Sequence, residues 1–356
     1  MVFYLAASPI AAARDADFTH LWAAGVAWLE GAAYSPALQR EALFGAVEEP
    51  LWAARNDALG TFFYPPSALF LYGPLGALPV HTAGLVMALL NAALGVLAGV
   101  LIARLTGNPV VGGVAVVLLY PSFFFAYVLG QNGPLTLCLL VGALVASQRS
   151  RPLLAGVLLG LTAWKPSWLF AVSWLWLVLP QGRRVLAGFV SGAVGLTLAS
   201  LALGGWDAFL ELAPRIATLR EQGDYPVHLQ YNLQRFGPLG WAAAIALVGV
   251  TLWKGRGNAP AALVAATLVN PHMHHYDALP ALVAVAVLGR WWVIVPFHLA
   301  FVASEALGLG AWAPLPVLAM LAVWAVSLFG GPEPRPAPGG RSASPPESRE
   351  APDPVG

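Results

Sequence analysis

Residues 82–104 read TAGLVMALLNAALGVLAGVLIAR, an apolar run that meets no charged residue before Arg104. At about 1.5 Å of rise per helical residue, such a run is long enough to cross a hydrocarbon core of about 30 Å, so it predicts a transmembrane helix. Further apolar runs predict crossings near 109–129, 133–148, 152–164, 167–180, 185–203, 238–253, 258–270, 277–289, 291–309 and 314–329. The shortest of these fit only as helices broken or sheltered inside the protein. The expected fold is all-α: a polytopic integral membrane protein with a bundle of about 11–12 transmembrane helices. Whole-chain composition agrees, with 58% hydrophobic and 10% charged residues, where soluble domains carry about 25% charged residues.

The net charge of +1, from 18 basic and 17 acidic residues, leaves no broad basic face for nucleic-acid phosphates. Nucleic acid is therefore excluded as a partner. The single cysteine, Cys138, lies in the apolar run 135–145, which excludes an internal disulfide and a cysteine-based metal cluster and fits a buried or lipid-facing residue.

Lys and Arg in short loops favour the cytoplasm. Arg104, Arg149 with Arg151, Arg183 with Arg184, Lys254 with Arg256, and Arg290 fall at alternate ends of the predicted crossings. One orientation places all of them inside. It leaves outside the loop at about 14–81, the turns at 130–132 and 164–166, the loop 204–237 and the segment 270–277, so polar and ionisable groups gather on one side. The apolar stretch 67–80 is short and interrupted by Pro74 and Pro79, which predicts a re-entrant or interfacial segment rather than a crossing.

Residues 1–13 are apolar but short for a span, and they lack the basic region and cleavage site of a secretory signal. The first helix is then short, or its start lies upstream. Residues 331–356, rich in Pro, Gly, Ser and charge, are expected to form a disordered cytoplasmic tail, leaving 1–330 as one membrane domain.

Four polar features stand out. Arg14-Asp15-Ala16-Asp17-Phe18 leads into Leu21, Trp22, Gly25, Trp28 and Leu29, a pattern that suits a helix lying against the membrane with both tryptophans as interfacial anchors. Asp17 stands at its start, either as a first-turn carboxylate stabilised by the helix dipole or as a base able to take a proton from a hydroxyl. A metal-binding reading of Asp15-x-Asp17 rests on a spacing that recurs by chance. Lys165, between two apolar runs and followed by Pro166, is either a snorkelling lysine or a cation held in a cavity for a phosphate. The segment Asn270-Pro271-His272-Met273-His274-His275-Tyr276-Asp277 offers three histidines, read as hydrogen-bond donors to a phosphate or sugar, or as loop. Zinc is disfavoured, because no rigid ligand face is evident, so no metal or other cofactor is expected. Phe63-Tyr64-Pro65-Pro66 and Gly130-Gln131-Asn132 are turns that are architectural or line a pocket.

In this order the pieces resemble glycosyltransferase family 87, mannosyltransferases of the polytopic GT-C superfamily that use polyprenyl-phosphate-mannose donors in bacteria. The matching residues are Asp17-Phe18, Gly31-x-x-Tyr34, Tyr64-Pro65-Pro66, Gly130-Gln131-Asn132, Gly156-x-x-x-Gly160-x-x-x-x-Lys165-Pro166, and Asn270-Pro271-His272 through His275-Tyr276. The resemblance implies a metal-independent, inverting transfer of a sugar from a polyprenyl-phosphate donor to a glycolipid or polysaccharide acceptor. It would take place on the outer side of the bacterial plasma (inner) membrane, as part of building the cell envelope. It implies Asp17 as general base, and Lys165 with His272, His274 and His275 on the donor phosphate. It also implies Asp15, Tyr34, Tyr64, Gln131 and Asn132 around the sugar or acceptor. The rival expectation is a secondary transporter, which would also combine broken helices with buried ionisable groups, but no internal repeat supports it.

Overall fold

The computed structural model describes residues 17–46, 62–221, 232–288 and 314–329. Every regular element among them is a helix. In chain order these are α1 (Asp17–Leu29), α2 (Pro36–Ala46), α3 (Leu69–Gly76), α4 (Val80–Thr106), α5 (Val110–Leu119), α6 (Pro121–Val128) and α7 (Gly133–Gln148). There follow α8 (Pro152–Gly160), α9 (Pro166–Val172), α10 (Gly182–Glu221), α11 (Gly237–Lys254), α12 (Ala259–Leu268), α13 (Ala281–Leu288) and α14 (Pro314–Phe329). Short 3-10 turns at Pro66–Ala68, Leu161–Trp164, Leu175–Leu177, Leu233–Phe236 and His275–Ala278 join them.

The chain is an all-α polytopic membrane protein. Among the described residues, three helical stretches are long and apolar enough to cross a bilayer alone: Val80–Thr106, Gly182–Leu212 and Leu233–Lys254. A fourth crossing exists if α5 and α6 count as one span, bent by 63°. The bend follows from Pro121, which begins α6 and holds Tyr120 in extended backbone (φ −75°, ψ 130°). The apolar runs expected at 133–148, 152–164, 258–270 and 314–329 form shorter helices. The run at 167–180 is broken into α9 and the turn Leu175–Leu177. Residues 1–16, the run 291–309 and the tail 331–356 lie outside the described residues.

A large core gathers around α12, whose residues Ala261–Leu268 are all buried, together with faces of α4, α6, α7, α9, α13 and α14. A smaller core joins α1, α3 and the start of α4. It corrects the reading of Trp22 as an interfacial anchor. Trp22 is buried and donates its indole N–H to the Leu78 carbonyl at 3.0 Å, so it packs inside the protein, while Trp28 lies half-buried against Gly73. The stretch 67–80 is too short to cross, as expected, and folds as α3 against α1. That contact depends on two glycines: a Cβ on Gly25 would strike the Tyr72 carbonyl, and one on Gly76 the Gly25 backbone. Gly156 and Gly160 have the corresponding role between α8 and α10, where each faces a backbone carbonyl of Val185 or Phe189.

Candidate active site

The site is assembled at helix ends. Gly130, in the left-handed region at φ 63°, turns the chain between α6 and α7 and leaves room for Phe18, which a side chain at that position would strike. The turn is joined to α1, because the Phe18 N–H, a first-turn donor with no partner in its own helix, donates to the Leu129 carbonyl at 3.0 Å. Asp17 is thereby presented to the same turn. Its Oδ2 accepts a hydrogen bond from Gln131 Nε2 at 2.7 Å. Gln131 is held from behind by Asn91 of α4, whose Nδ2 donates to the Gln131 carbonyl at 2.9 Å.

Asn91 also fixes the depth of the site. It stands about 16 Å along α4 from Val80 and about 22 Å from Thr106, so the Gly130-Gln131-Asn132 turn is recessed within the helical bundle. Arg104 and Arg149 lie at the other end, where Gln148 at the end of α7 donates to the Leu105 carbonyl at 3.4 Å.

Tyr64 occupies the centre. Its hydroxyl makes a long 3.4 Å contact to Gln131 Oε1, its carbonyl accepts the Tyr34 hydroxyl at 2.6 Å, and its ring stacks on Trp164 with centroids 5.9 Å apart and planes 10° apart. Burial first, then the carboxylates of Asp277 and Asp17, push the Tyr64 phenol above its ordinary range, so both acids bear on one hydroxyl. Asn132 donates to the Tyr72 hydroxyl at 2.8 Å. Tyr34, expected near the sugar, is buried and braces the Tyr64 backbone.

Lys165 follows Trp164 directly. Pro166 starts α9 and forces Lys165 into extended backbone (φ −123°, ψ 97°), so the chain breaks there. The Lys165 ammonium meets Asp277 Oδ1 at 2.5 Å, with the two side chains only 6% and 1% exposed, and stands 5.4 Å from the Tyr276 ring centre. It is not a snorkelling surface lysine. Asp277 Oδ2 accepts the His274 backbone N–H at 3.2 Å, closing a reciprocal capping box around the turn His275–Ala278. The His272 and His274 rings meet edge to face at 4.9 Å, and His274 lies 5.2 Å from Tyr276. His272, half-buried, is pushed down to about 3 by burial first and by Lys165 second, which keeps its ring neutral. The α12 end that carries this segment is tied down by Asn232 and Gln234, whose amides donate to the carbonyls of Asn270 (2.9 Å) and Val269 (2.8 Å). The α7 start packs on the same segment, since a Cβ on Gly133 would meet the Tyr276 carbonyl.

The site residues expected from sequence therefore converge, except that Asp15 lies outside the described residues and nothing is stated of the His275 side chain. Asp277, Asn91 and Tyr72 are additions. Asp277 had a signal in the three-residue spacing from His274, which suits a capping box. Asn91 had one too, as a lone amide in an apolar membrane helix. Four residues of the site keep a buried polar atom with no partner among the described residues: Asn91 Oδ1, Asn132 Oδ1, Trp164 Nε1 and Asn270 Nδ2. They supply hydrogen-bonding capacity for a polar ligand.

The family model of glycosyltransferase family 87 matches residues 62–293. The chain belongs to glycosyltransferase family 87. No curated protein and no solved structure gives a significant match. As a family 87 member the chain is a membrane glycosyltransferase, and the matched region contains Tyr64, Gln131, Asn132, Lys165 and the Asn270–Asp277 segment, while Asp17 precedes it.

Proposed function

We propose that this family 87 enzyme transfers a sugar, mannose in the first instance, from a polyprenyl-phosphate donor to an acceptor hydroxyl on the outer side of a bacterial plasma membrane, with inversion. One observation carries the reading: Asp17 and the buried Lys165–Asp277 pair come to one recess around Tyr64, whose hydroxyl feels both carboxylates. Asp17 arrives through Gln131, and Lys165 directly follows Trp164, whose indole stacks on the Tyr64 ring. A site recessed along α4 suits a donor that arrives sideways from the lipid. The alternation of basic residues along the sequence supports the outer side.

In this mechanism the acceptor hydroxyl loses its proton to Asp17 as its oxygen attacks the anomeric carbon. The bond from that carbon to the phosphate oxygen breaks, and its electron pair remains on the phosphate. Lys165, with one or more of His272, His274 and His275, meets the charge that develops there. The aromatic faces and the amides of Gln131 and Asn132 suit a sugar ring.

The test is transfer of labelled mannose from polyprenyl-phosphate-mannose to endogenous lipid acceptors, in membranes holding the natural protein or Asp17→Asn at matched abundance. General-base help amounts to about 10²- to 10⁴-fold, and the variant should lose that much. Retention of most of the rate would remove Asp17 from the base role. Silence in both membranes would reject mannose as the sugar and send the assay to glucosyl and arabinosyl donors.

A further inference from the structure

Asp277 is the buried carboxylate that the proposed mechanism does not use. Its Oδ1 lies on the Lys165 ammonium at 2.5 Å, so it occupies a place on that cation that a phosphate oxygen would take. Its Oδ2 is anchored by the His274 N–H at 3.2 Å, so the carboxylate stays beside Lys165 when a ligand arrives. The groups facing the Lys165 head are few among the described residues: Asp277, the Tyr276 ring, and His272, whose neutral state adds no second positive charge. With Asp17 nearby as well, the site is poorly matched to a ligand of high negative charge.

We propose that Asp277 is a specificity-determining residue that competes with the ligand phosphate for Lys165, so that the site holds the singly charged phosphodiester of a lipid-linked sugar and sheds the phosphomonoester left after transfer. The inference rests on the reading of Lys165 as the phosphate-facing cation. Transfer itself changes the charge. The carbon–oxygen bond breaks towards phosphate, the acceptor proton goes to Asp17, and the lipid phosphate goes from one negative charge to about −1.5 to −2 at neutral pH. Repulsion from the fixed Asp277 carboxylate therefore rises as product forms, and Asp277 retakes Lys165 as the product leaves.

The experiment measures dissociation constants of polyprenyl monophosphate and of polyprenyl-phosphate-mannose on the purified full chain without acceptor, so that no turnover is needed. Asp277→Asn keeps the size and an oxygen for the His274 N–H but removes the charge. It should tighten the monophosphate relative to the sugar-bearing lipid by about tenfold, the scale of one screened like-charge contact. Asp277→Glu keeps the charge and should preserve the natural ratio. A ratio unmoved by Asn, or moved equally by Glu, overturns the proposal. Lys165→Ala separates the two layers. If it leaves both constants unchanged, the phosphate reading of Lys165 itself fails. If it weakens both while Asp277→Asn leaves the ratio alone, only the role of Asp277 fails.

Discussion

Removing one partner of the Lys165–Asp277 pair should destabilise the protein far more than removing both. The ammonium and carboxylate are 2.5 Å apart, with side chains 6% and 1% exposed, so neither can turn to water when its partner is lost. Leaving one charge buried and unpaired costs about 3–5 kcal/mol, whereas exchanging a buried pair for well-packed apolar groups is often neutral or favourable. At about 2–4 °C per kcal/mol for a chain of this order of size, Lys165→Met or Asp277→Leu should lower the apparent Tm by about 6–20 °C. Lys165→Met/Asp277→Leu should recover most of that loss. Thermal unfolding of the four proteins in one detergent, followed by tryptophan fluorescence, measures the cycle. A double variant whose loss equals the sum of the single losses would refute the reasoning, because uncoupled residues add and contacting ones do not.

Other substitutions probe the rest of the site. Gln131→Ala removes the 2.7 Å hydrogen bond to Asp17; kcat in the labelled-transfer assay should fall about tenfold, as expected for a hydrogen bond to a charged group, and an unchanged kcat would deny Gln131 its orienting role. Gly25→Leu drives a side chain into the Tyr72 carbonyl; α1 must then move away from α3 and carry Asp17 with it, so transfer should be lost and apparent stability should fall by about 1–3 kcal/mol or more, whereas Gly45→Ala, at a position with open space, should leave both intact. His272 is depressed from 6.5 to about 3, so the unfolded chain binds the additional proton between those values. Its contribution to stability is present above about pH 6.5 and lost as pH falls through that window. His272→Gln should flatten the acid side of the Tm–pH curve, and an unaltered curve would contradict the burial argument.

The apolar runs announced the fold class because a membrane-crossing helix satisfies its own backbone and needs about 20 consecutive apolar residues, a constraint visible in one dimension. The break at Lys165 was visible for a similar reason. Pro166 restricts the residue before it whatever the surroundings, whereas the run 109–129 was expected as one unbroken crossing although Pro121 acts on Tyr120 in the same way. Trp22 was misread as an interfacial anchor because an aromatic residue looks the same facing lipid or facing α3; only the Gly25 and Gly76 contact, which brings two helices together, decides between them.

The sequence by itself determined that this chain is a bundle of membrane helices whose ionisable groups are few and concentrated at particular breaks. It also placed Asp17, Gln131 and Lys165 at those breaks, because local backbone chemistry fixes where helices start and stop. Tertiary structure alone decided which of these groups meet. Asp17 is separated from Gln131, and Lys165 from Asp277, by more than a hundred residues, and no local propensity encodes a pairing at that range. It follows from helices packed through glycine, which bring the two pairs to one recess beside Tyr64. There burial gives each charge a partner, since one left without a partner would strongly oppose the fold.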